Sequence, residues 1–293
     1  METELVTLRK LTADDYNALQ NMQTGMEDDY VVRIFHNLLE RENNVMYGLF
    51  DQDQMIAISG YTIFSNKFAM LGRLRTDIRY RGKGYGTEIL RAIIEELRTI
   101  PSIEFISANT QLHNFSARKA LTKLDLPHIT TLHPFILKDP SLVKGTKGKV
   151  WDTIESVQEK RQFLQSLKEN ALGAFPYEAY YPLPFDDSLL TDEYLQDGTF
   201  YVNEDQTRFL FCKIDQKGNL YLNTKYFWND HFQQPGLFET ILHEWSKHEE
   251  IYGAWIDVSK EAADTFSIDA FETQDPWLLY GFKLHEHKTG NCQ

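Results

Sequence analysis

The sequence is poor in cysteine, in net positive charge and in long apolar runs. Two of its 293 residues are cysteines, Cys212 and Cys292, which argues against a secreted domain held together by a disulfide framework. The formal net charge of -13 argues against nucleic acid as the main partner, because contact with the phosphate backbone requires a basic face. No apolar run approaches the roughly 18 residues of a membrane span, and the first residues lack the basic and apolar stretches of a signal peptide. We therefore expect a cytoplasmic protein with no membrane segment.

Apolar and aromatic residues, by contrast, are plentiful. Hydrophobic residues make up 42% of the chain, and 19 Phe and 15 Tyr supply enough side chains for substantial cores. At roughly 100–200 residues per domain, the length fits one large domain or two small ones. The chain is thus predicted to be globular rather than disordered.

The first half has the pattern of a mixed α+β domain. Apolar runs at 45–50 and 55–64 flank a polar turn and predict a β-hairpin, which a third strand at 68–77 follows. A helix is predicted at 87–98, because apolar residues recur there at helical spacing: Ile89, Leu90, Ile93, Ile94 and Leu97. The remaining predicted elements are a strand at 104–109, a helix at 114–124 and a strand at 129–137.

The second half repeats this order of elements about 150 residues later, which favours a tandem duplication. We predict an N-terminal domain at 1–140 and, at 141–293, a linker helix followed by a degenerate second copy. The linker helix is expected from Trp151 to about Leu172, and a shorter helix at 260–271.

The main chemical signal lies between a predicted strand and the helix at 87–98, in the run Arg81-Gly82-Lys83-Gly84-Tyr85-Gly86. Each glycine would destabilise a helix by about 1 kcal/mol relative to Ala, so the run indicates a tight turn that a ligand approaches closely. The N–H groups and the dipole of the following helix favour an anion. The spacing fits neither the Walker pattern nor the dinucleotide pattern G-x-G-x-x-G, which leaves a different kind of phosphate cradle.

The run resembles the cofactor motif of the GNAT superfamily of N-acetyltransferases, Gln/Arg-x-x-Gly-x-Gly/Ala, to which Arg81, Gly84 and Gly86 correspond. The order of elements over residues 1–140 fits this family as well. The resemblance implies two GNAT-like domains of the α+β class, each a twisted, mostly antiparallel sheet flanked by helices, and acetyl-CoA or another acyl-CoA as cofactor. The residues that it assigns to the cofactor are Leu74, Arg75, Thr76, Arg81, Gly82, Lys83, Gly84, Tyr85, Gly86, Thr87, Asn114 and Ala117.

The sequence departs from the family pattern in the next motif. Asn114 and Ala117 match it, although Asn114 also suits a helix N-cap. The Tyr that many members use as general acid is replaced by Leu121, and the usual Gly-Phe by Asp125-Leu126. A thiol with a pKa near 8.5 can leave without a donor, so these changes weaken the case for catalysis without excluding it.

Catalysis also needs a base, because an ammonium ion is not a nucleophile. The resemblance places the acyl group in an opening between the strands at 74–78 and 104–109, so Asp77 and Glu104 at the strand ends are the candidates. The acidic run 27–29 could attract an amine, or could be favourable charge at a helix N-terminus. Each of these carboxylates also suits a solvated surface position.

These features predict an N-acyltransferase, foremost an N-acetyltransferase, that moves an acetyl group from acetyl-CoA to a primary amine of a small molecule or peptide by direct attack. The alternatives are an acyl-CoA-binding module without turnover, which Leu121 favours, and a scaffold. Residues 230–237 of the second copy contain one glycine and no arginine, so we expect no cofactor there. His243 and His248 are badly placed on a helix to share a metal, and no metal is predicted. A homodimer stays open.

Overall fold

The computed structural model describes residues 6–284 and divides into two compact units. Unit 1 contains the described residues up to Thr110, then Asn114–His128, and residues 280–284. Unit 2 contains Gln111–His113 and Ile129–Leu279. The chain therefore passes between the units more than once, rather than at a single boundary near residue 140.

The strands are β1 (Val6–Lys10), β2 (Asn44–Asp51), β3 (Gln54–Phe64), β4 (Phe68–Thr76), β5 (Phe105–Gln111), β6 (His128–Leu137), β7 (Asp152–Ile154), β8 (Phe175–Glu178), β9 (Tyr181–Leu183), β10 (Thr199–Val202), β11 (Phe209–Lys217), β12 (Asn219–Lys225), β13 (Gly253–Val258), β14 (Phe271–Thr273) and β15 (Trp277–Lys283). The helices are α1 (Tyr16–Gln20), α2 (Tyr30–Arg33), α3 (Phe35–Glu40), α4 (Tyr85–Arg98), α5 (Phe115–Lys123), α6 (Val157–Gln165), α7 (Asp192–Gln196), α8 (Leu237–Trp245) and α9 (Lys260–Ala263). The mixed α+β class is confirmed.

The sheet of unit 1 has the strand order β1-β2-β3-β4-β5-β15. The first four strands are antiparallel, whereas β4 and β5 are parallel and α4 connects them. The predicted apolar side of α4 is confirmed, since Ile89, Leu90, Ile93, Ile94 and Leu97 are all buried. This helix therefore packs its apolar side on the sheet and begins near the end of β4.

The parallel pair of unit 1 opens before β4 ends. Pairing runs from Phe68 with Phe105 to Leu71 with Ala108, while β4 continues to Thr76. At the same point the register of β4 with β3 shifts, and Arg73 has a φ of +60°, so a β-bulge bends the strand. The opening predicted between these two strands is present.

Unit 2 has the same strand order, β7-β10-β11-β12-β13-β6. Its fourth and fifth strands, β12 and β13, are again a parallel pair, and α8 lies between them in the sequence. The sixth strand of each unit lies apart in sequence from the other five, because β6 comes before the other strands of unit 2 and β15 follows all of them. In addition, β14 pairs with β6, and β8 and β9 form a separate hairpin.

The helices predicted at 151–172 and 260–271 are wrong in extent. The first is replaced by strand β7 and the shorter helix α6, because Asp152–Ile154 pair with β10 and the Ser156 side chain caps the helix. The second ends at Ala263, and Phe271 instead pairs with β6. Within residues 6–284, no helix is both long enough and apolar enough to cross a membrane.

Candidate functional site

A glycine-rich turn leads from the end of β4 into α4. Gly82 and Gly84 have φ values of +82° and +95°, which side chains other than glycine rarely adopt, and Gly84 is the N-cap of α4. A Cβ atom at either position would meet nothing within 4 Å, so the space above the turn is open. The first N–H groups of an α-helix have no partner within the helix, and the helix dipole adds positive potential there. The turn therefore has the properties of an anion site.

The third glycine of the run brings the helix close to the strand. A Cβ at Gly86 would lie 3.2 Å from Thr76 Oγ1 and 3.6 Å from the Leu74 side chain. The start of α4 therefore rests on the last residues of β4, beyond the point where β4 and β5 separate. This arrangement brings the anion site and the opening of the sheet together.

The positive side chains of the run point in different directions. Arg81 donates from Nε to the carbonyl oxygen of Thr76 at 3.3 Å and from Nη2 to that of Thr24. Lys83 is exposed, and its Nζ lies 5.4 Å from the centre of the Tyr80 ring. Arg81 thus connects the turn to neighbouring backbone by hydrogen bonds, and Lys83 places a positive charge on the solvent-exposed side of the turn.

Asp77 is a structural carboxylate. It is fully buried and accepts hydrogen bonds from the N–H groups of Gln23 at 3.0 Å and Arg79 at 2.9 Å, and from the Arg79 guanidinium at 2.6 Å and 2.9 Å. Chiefly because of the bonds from Arg79, its pKa is lowered to about 2. A carboxylate with so low a pKa is a weak proton acceptor, so these contacts argue against Asp77 as the base.

Glu104 lies far from Asp77. It precedes β5 and forms an ion pair with Lys67 at 3.0 Å, and its N–H donates to the carbonyl of Lys67 just before β4 begins. The strand β4 separates this end from the other by about 26 Å at ~3.3 Å per residue. The structure therefore does not bring the two predicted bases into one site.

Arg75 and the acidic run 27–29 are connected in a way that the sequence did not indicate. Arg75 donates to both carboxylate oxygens of Asp29, at 2.7 Å and 2.9 Å, and both side chains are largely buried. Asp29 also caps α2 by accepting from the N–H of Val31. The Arg75 side chain is thus engaged within the protein. No local sequence signal marks a pair separated by 46 positions.

The helix α5 begins as the capping interpretation predicted. Asn114 Oδ1 accepts from the N–H of Ala117 at 3.1 Å, which satisfies one of the helix's first donors. Leu121 is buried with 3% exposure. This side chain has no proton to donate. At the position where many family members have the general acid, this protein therefore has a buried apolar residue.

Comparison with known proteins identifies this architecture. Residues 7–125 match the model of the acetyltransferase (GNAT) family. This part of the chain is a GNAT acetyltransferase domain. No curated protein matches the sequence.

Solved structures with the GNAT fold extend the likeness over nearly the whole chain. A GCN5-related N-acetyltransferase from Sphaerobacter thermophilus superposes with a TM-score of 0.56 at 11% identity, covering 95% of this chain and 96% of that one. A protein from Pyrococcus horikoshii assigned as an acetyltransferase gives a TM-score of 0.54 at 13% identity, covering 97% and 91%. At such identities the likeness shows the fold alone.

With this domain at residues 7–125, the protein is an acyltransferase, and acetyl-CoA is its cofactor. The glycine turn fits a CoA pyrophosphate, because open space above Gly82 and Gly84 adjoins the N-terminus of a helix of 14 residues. The opening beyond Leu71 lies next to it on the same strand.

The corresponding position in unit 2 is covered by the chain itself. The helix α8 also begins at a left-handed glycine, Gly236, with a φ of +79°. Its N–H donates to the carbonyl of Thr146 at 3.1 Å, and a Cβ on it would lie 2.0 Å from the carbonyl oxygen of Lys149. Residues 146–151, which we call the covering segment, therefore occupy the space that is open above Gly84.

Proposed function

We propose that this GNAT domain transfers the acetyl group of acetyl-CoA to a primary amine of a small molecule or peptide by direct attack. The observation that carries the proposal is the open glycine turn at the N-terminus of α4, directly beside the separated end of β4. The N–H groups of residues 81–86 would hold the pyrophosphate, and the edge of β4 at Leu74–Thr76 would align the pantetheine arm. Lys83 adds charge at the rim.

When bound, acetyl-CoA supplies an activated thioester. Backbone N–H groups near Thr76 would orient and polarise the carbonyl, which helps because they need not reorganise as charge develops. The amine nitrogen bonds to the acetyl carbon, the carbon–sulfur bond breaks, and CoA leaves as its thiolate. With a thiol pKa near 8.5, this departure requires no donor at the position of Leu121.

Water takes the proton of the amine in this proposal, since Asp77 is held ionised by Arg79 and Glu104 lies at the other end of β4. The logarithm of kcat/KM should then rise by about one per pH unit up to the pKa of the acceptor amine itself, because neutral amine is the reactant. Thiol release measured from pH 5 to 10 checks this. A plateau well below the pKa of the amine would indicate a protein base instead.

We further propose that residues 141–293 are a degenerate second copy that binds no acetyl-CoA, and we keep the cytoplasmic location as part of the proposal. The shared strand order of the two units and the covering segment over Gly236 support it. Calorimetric titration with acetyl-CoA should give one site per chain. Two sites per chain would contradict the degenerate copy, and no site would contradict the acetyltransferase.

A second candidate is an acyl-CoA-binding module without turnover. The buried Leu121, in place of a proton donor, favours it. Both candidates predict binding of acetyl-CoA, whereas thiol release in the presence of a primary amine separates them. Binding with no release from any amine tested would establish the module.

A further inference from the structure

The segment Gln23–Tyr30 connects α1 to the first residue of α2 and is hydrogen-bonded to the end of β4. Gln23 donates its N–H to Asp77 at 3.0 Å and accepts from the N–H of Ile78 at 2.8 Å. Thr24 accepts from the Arg81 guanidinium. The segment is therefore tied at one end to the turn that carries the glycine run.

The other end of the segment is held by the ion pair of Asp29 with Arg75, whose two hydrogen bonds measure 2.7 Å and 2.9 Å. The Arg75 guanidinium also lies 5.4 Å from the centre of the Tyr30 ring. Bidentate pairs of this kind fix orientation as well as distance. The segment, which we call the wall, thus lies against the last residues of β4, which extend beyond the point where pairing with β5 stops.

The exposed surface of this wall carries large apolar side chains beside the exposed carboxylates of Glu27 and Asp28. Met26, Tyr30 and Ile78 are 45%, 43% and 46% exposed, and we call them the apolar lip. A Cβ at Gly25 would lie 3.5 Å from Ile78 Cγ2, so the segment and the turn after β4 meet at the lip. Exposed large apolar side chains that gather beside a cleft often mark a binding surface.

Two of the three carboxylates near the lip form ion pairs within the protein, and the third, Glu27, is exposed. Asp29 is bound to Arg75, and Asp28 faces Arg33 at 2.5 Å. Two carboxylates of the acidic run are thereby opposed by guanidinium groups, which reduces the purely electrostatic attraction for an amine that the sequence suggested. The surface is complementary to a molecule that is apolar next to its amine.

On the basis of the proposed acetyl transfer, we propose that the acceptor carries its primary amine on an aromatic or branched aliphatic group, which packs on the apolar lip. Met26, Tyr30 and Ile78 are then determinants of acceptor specificity. Arg75 and Asp29 are positioning residues that hold the lip in place.

The test compares phenethylamine, tryptamine and isoamylamine with spermidine and putrescine, with thiol release from acetyl-CoA as the readout. It uses the full chain, the double variant Met26→Ser/Ile78→Ser, and the matched variant Ile268→Ser, which changes an apolar residue of unit 2 that is 79% exposed. Acetyl-CoA affinity is measured on each protein by calorimetry. All three side chains are exposed, so the variants should fold.

We expect kcat/KM for the apolar amines to exceed that for the polyamines by roughly tenfold or more, and the double variant to lose most of this preference, as contacts of this size permit. The acetyl-CoA affinity of the double variant should equal that of the parent. The Ile268→Ser variant should keep both the acetyl-CoA affinity and the amine preference of the parent. Equal or better turnover of polyamines, a preference that survives the double variant, or acetyl-CoA binding without turnover of any apolar amine would overturn the inference. Absence of acetyl-CoA binding would instead overturn the proposed function on which it rests.

Discussion

The N-termini of α4 and α8 begin in the same way and differ in what lies above them. Both have a left-handed glycine as N-cap, at the corresponding place in two sheets of the same strand order. Above Gly84 there is open space, whereas above Gly236 the covering segment supplies a carbonyl to the N-cap amide. The comparison predicts that the N-terminus of α4 can accept an anion, whereas at α8 the chain itself occupies the corresponding space.

The largest effect should come from Gly236→Ala. The added Cβ would lie 2.0 Å from the carbonyl oxygen of Lys149, in a backbone conformation that already disfavours alanine. Strain of ~1–2 kcal/mol and overpacking of ~1–3 kcal/mol together should lower the free energy of unfolding by about 3 kcal/mol or more. Denaturant unfolding measures this loss of stability. The acetyl-CoA affinity should not change. The control is Gly218→Ala, which has a φ of +76° with nothing within 4 Å and should show strain alone.

For Gly84→Ala we expect a small loss of stability and a large loss of acetyl-CoA affinity. Here the methyl group meets no protein atom within 4 Å, so stability should fall by only the ~1 kcal/mol of backbone strain. The methyl would stand in the proposed path of the pyrophosphate, and acetyl-CoA affinity should fall roughly tenfold to a hundredfold, which is about 1.4–2.7 kcal/mol. Calorimetric titration measures it. If this variant binds as tightly as the parent, the turn over α4 is not the cofactor site.

Asp77→Asn should have a smaller effect that depends on pH. The folded pKa of Asp77 is about 2, below the ~3.9 of an unfolded chain, so its stabilising contribution is complete above pH ~5 and is lost as the pH falls towards 2. Because the partner Arg79 is half exposed, we expect on the order of 1–2 kcal/mol at pH 7. Unfolding curves of parent and variant should therefore differ at pH 7 and converge near pH 2. A difference that persists at pH 2 would contradict the ionic origin.

The smallest effect is expected of Thr240→Val, which tests how the covering segment is anchored. Thr240 is buried, and its hydroxyl oxygen accepts from the N–H of Trp151 at 2.9 Å. Valine has nearly the same shape but leaves this N–H without its acceptor, at a cost of about 1 kcal/mol, the low end for a buried donor without a partner. Thermal unfolding should detect the loss. Acetyl-CoA titration should still give one site, and appearance of a second would mean that the segment had been released.

The parts of the site that follow from local chemistry could be predicted from the sequence. The glycine run indicated a tight turn, the spacing of Ile89, Leu90, Ile93, Ile94 and Leu97 indicated a buried helix side, and Asn114 was a candidate N-cap of α5. Each of these depends on residues within a few positions of one another. The separation of β4 from β5 was expected from the family resemblance and is present.

The parts that depend on distant residues could not be predicted. Asp77 is buried by contacts with Gln23, and Arg75 is matched to Asp29, so the polar sequence around them gives no sign of their burial. Residues 152–154 form a strand because β10 lies beside them, although the surrounding composition also suits a helix. The use of β6 and β15 as the sixth strands of opposite units is likewise invisible to any local pattern.

Because β15 lies far in sequence from the sheet that it completes, synthesis and truncation of the chain affect the two units differently. The sheet of unit 1 lacks its last strand until the ribosome has added β15, Trp277–Lys283. A gene cut near residue 140 would give a fragment that carries β6 but not β15. Even if the second half binds no cofactor, as we propose, it supplies the strand β15 that lies next to β5 in the sheet.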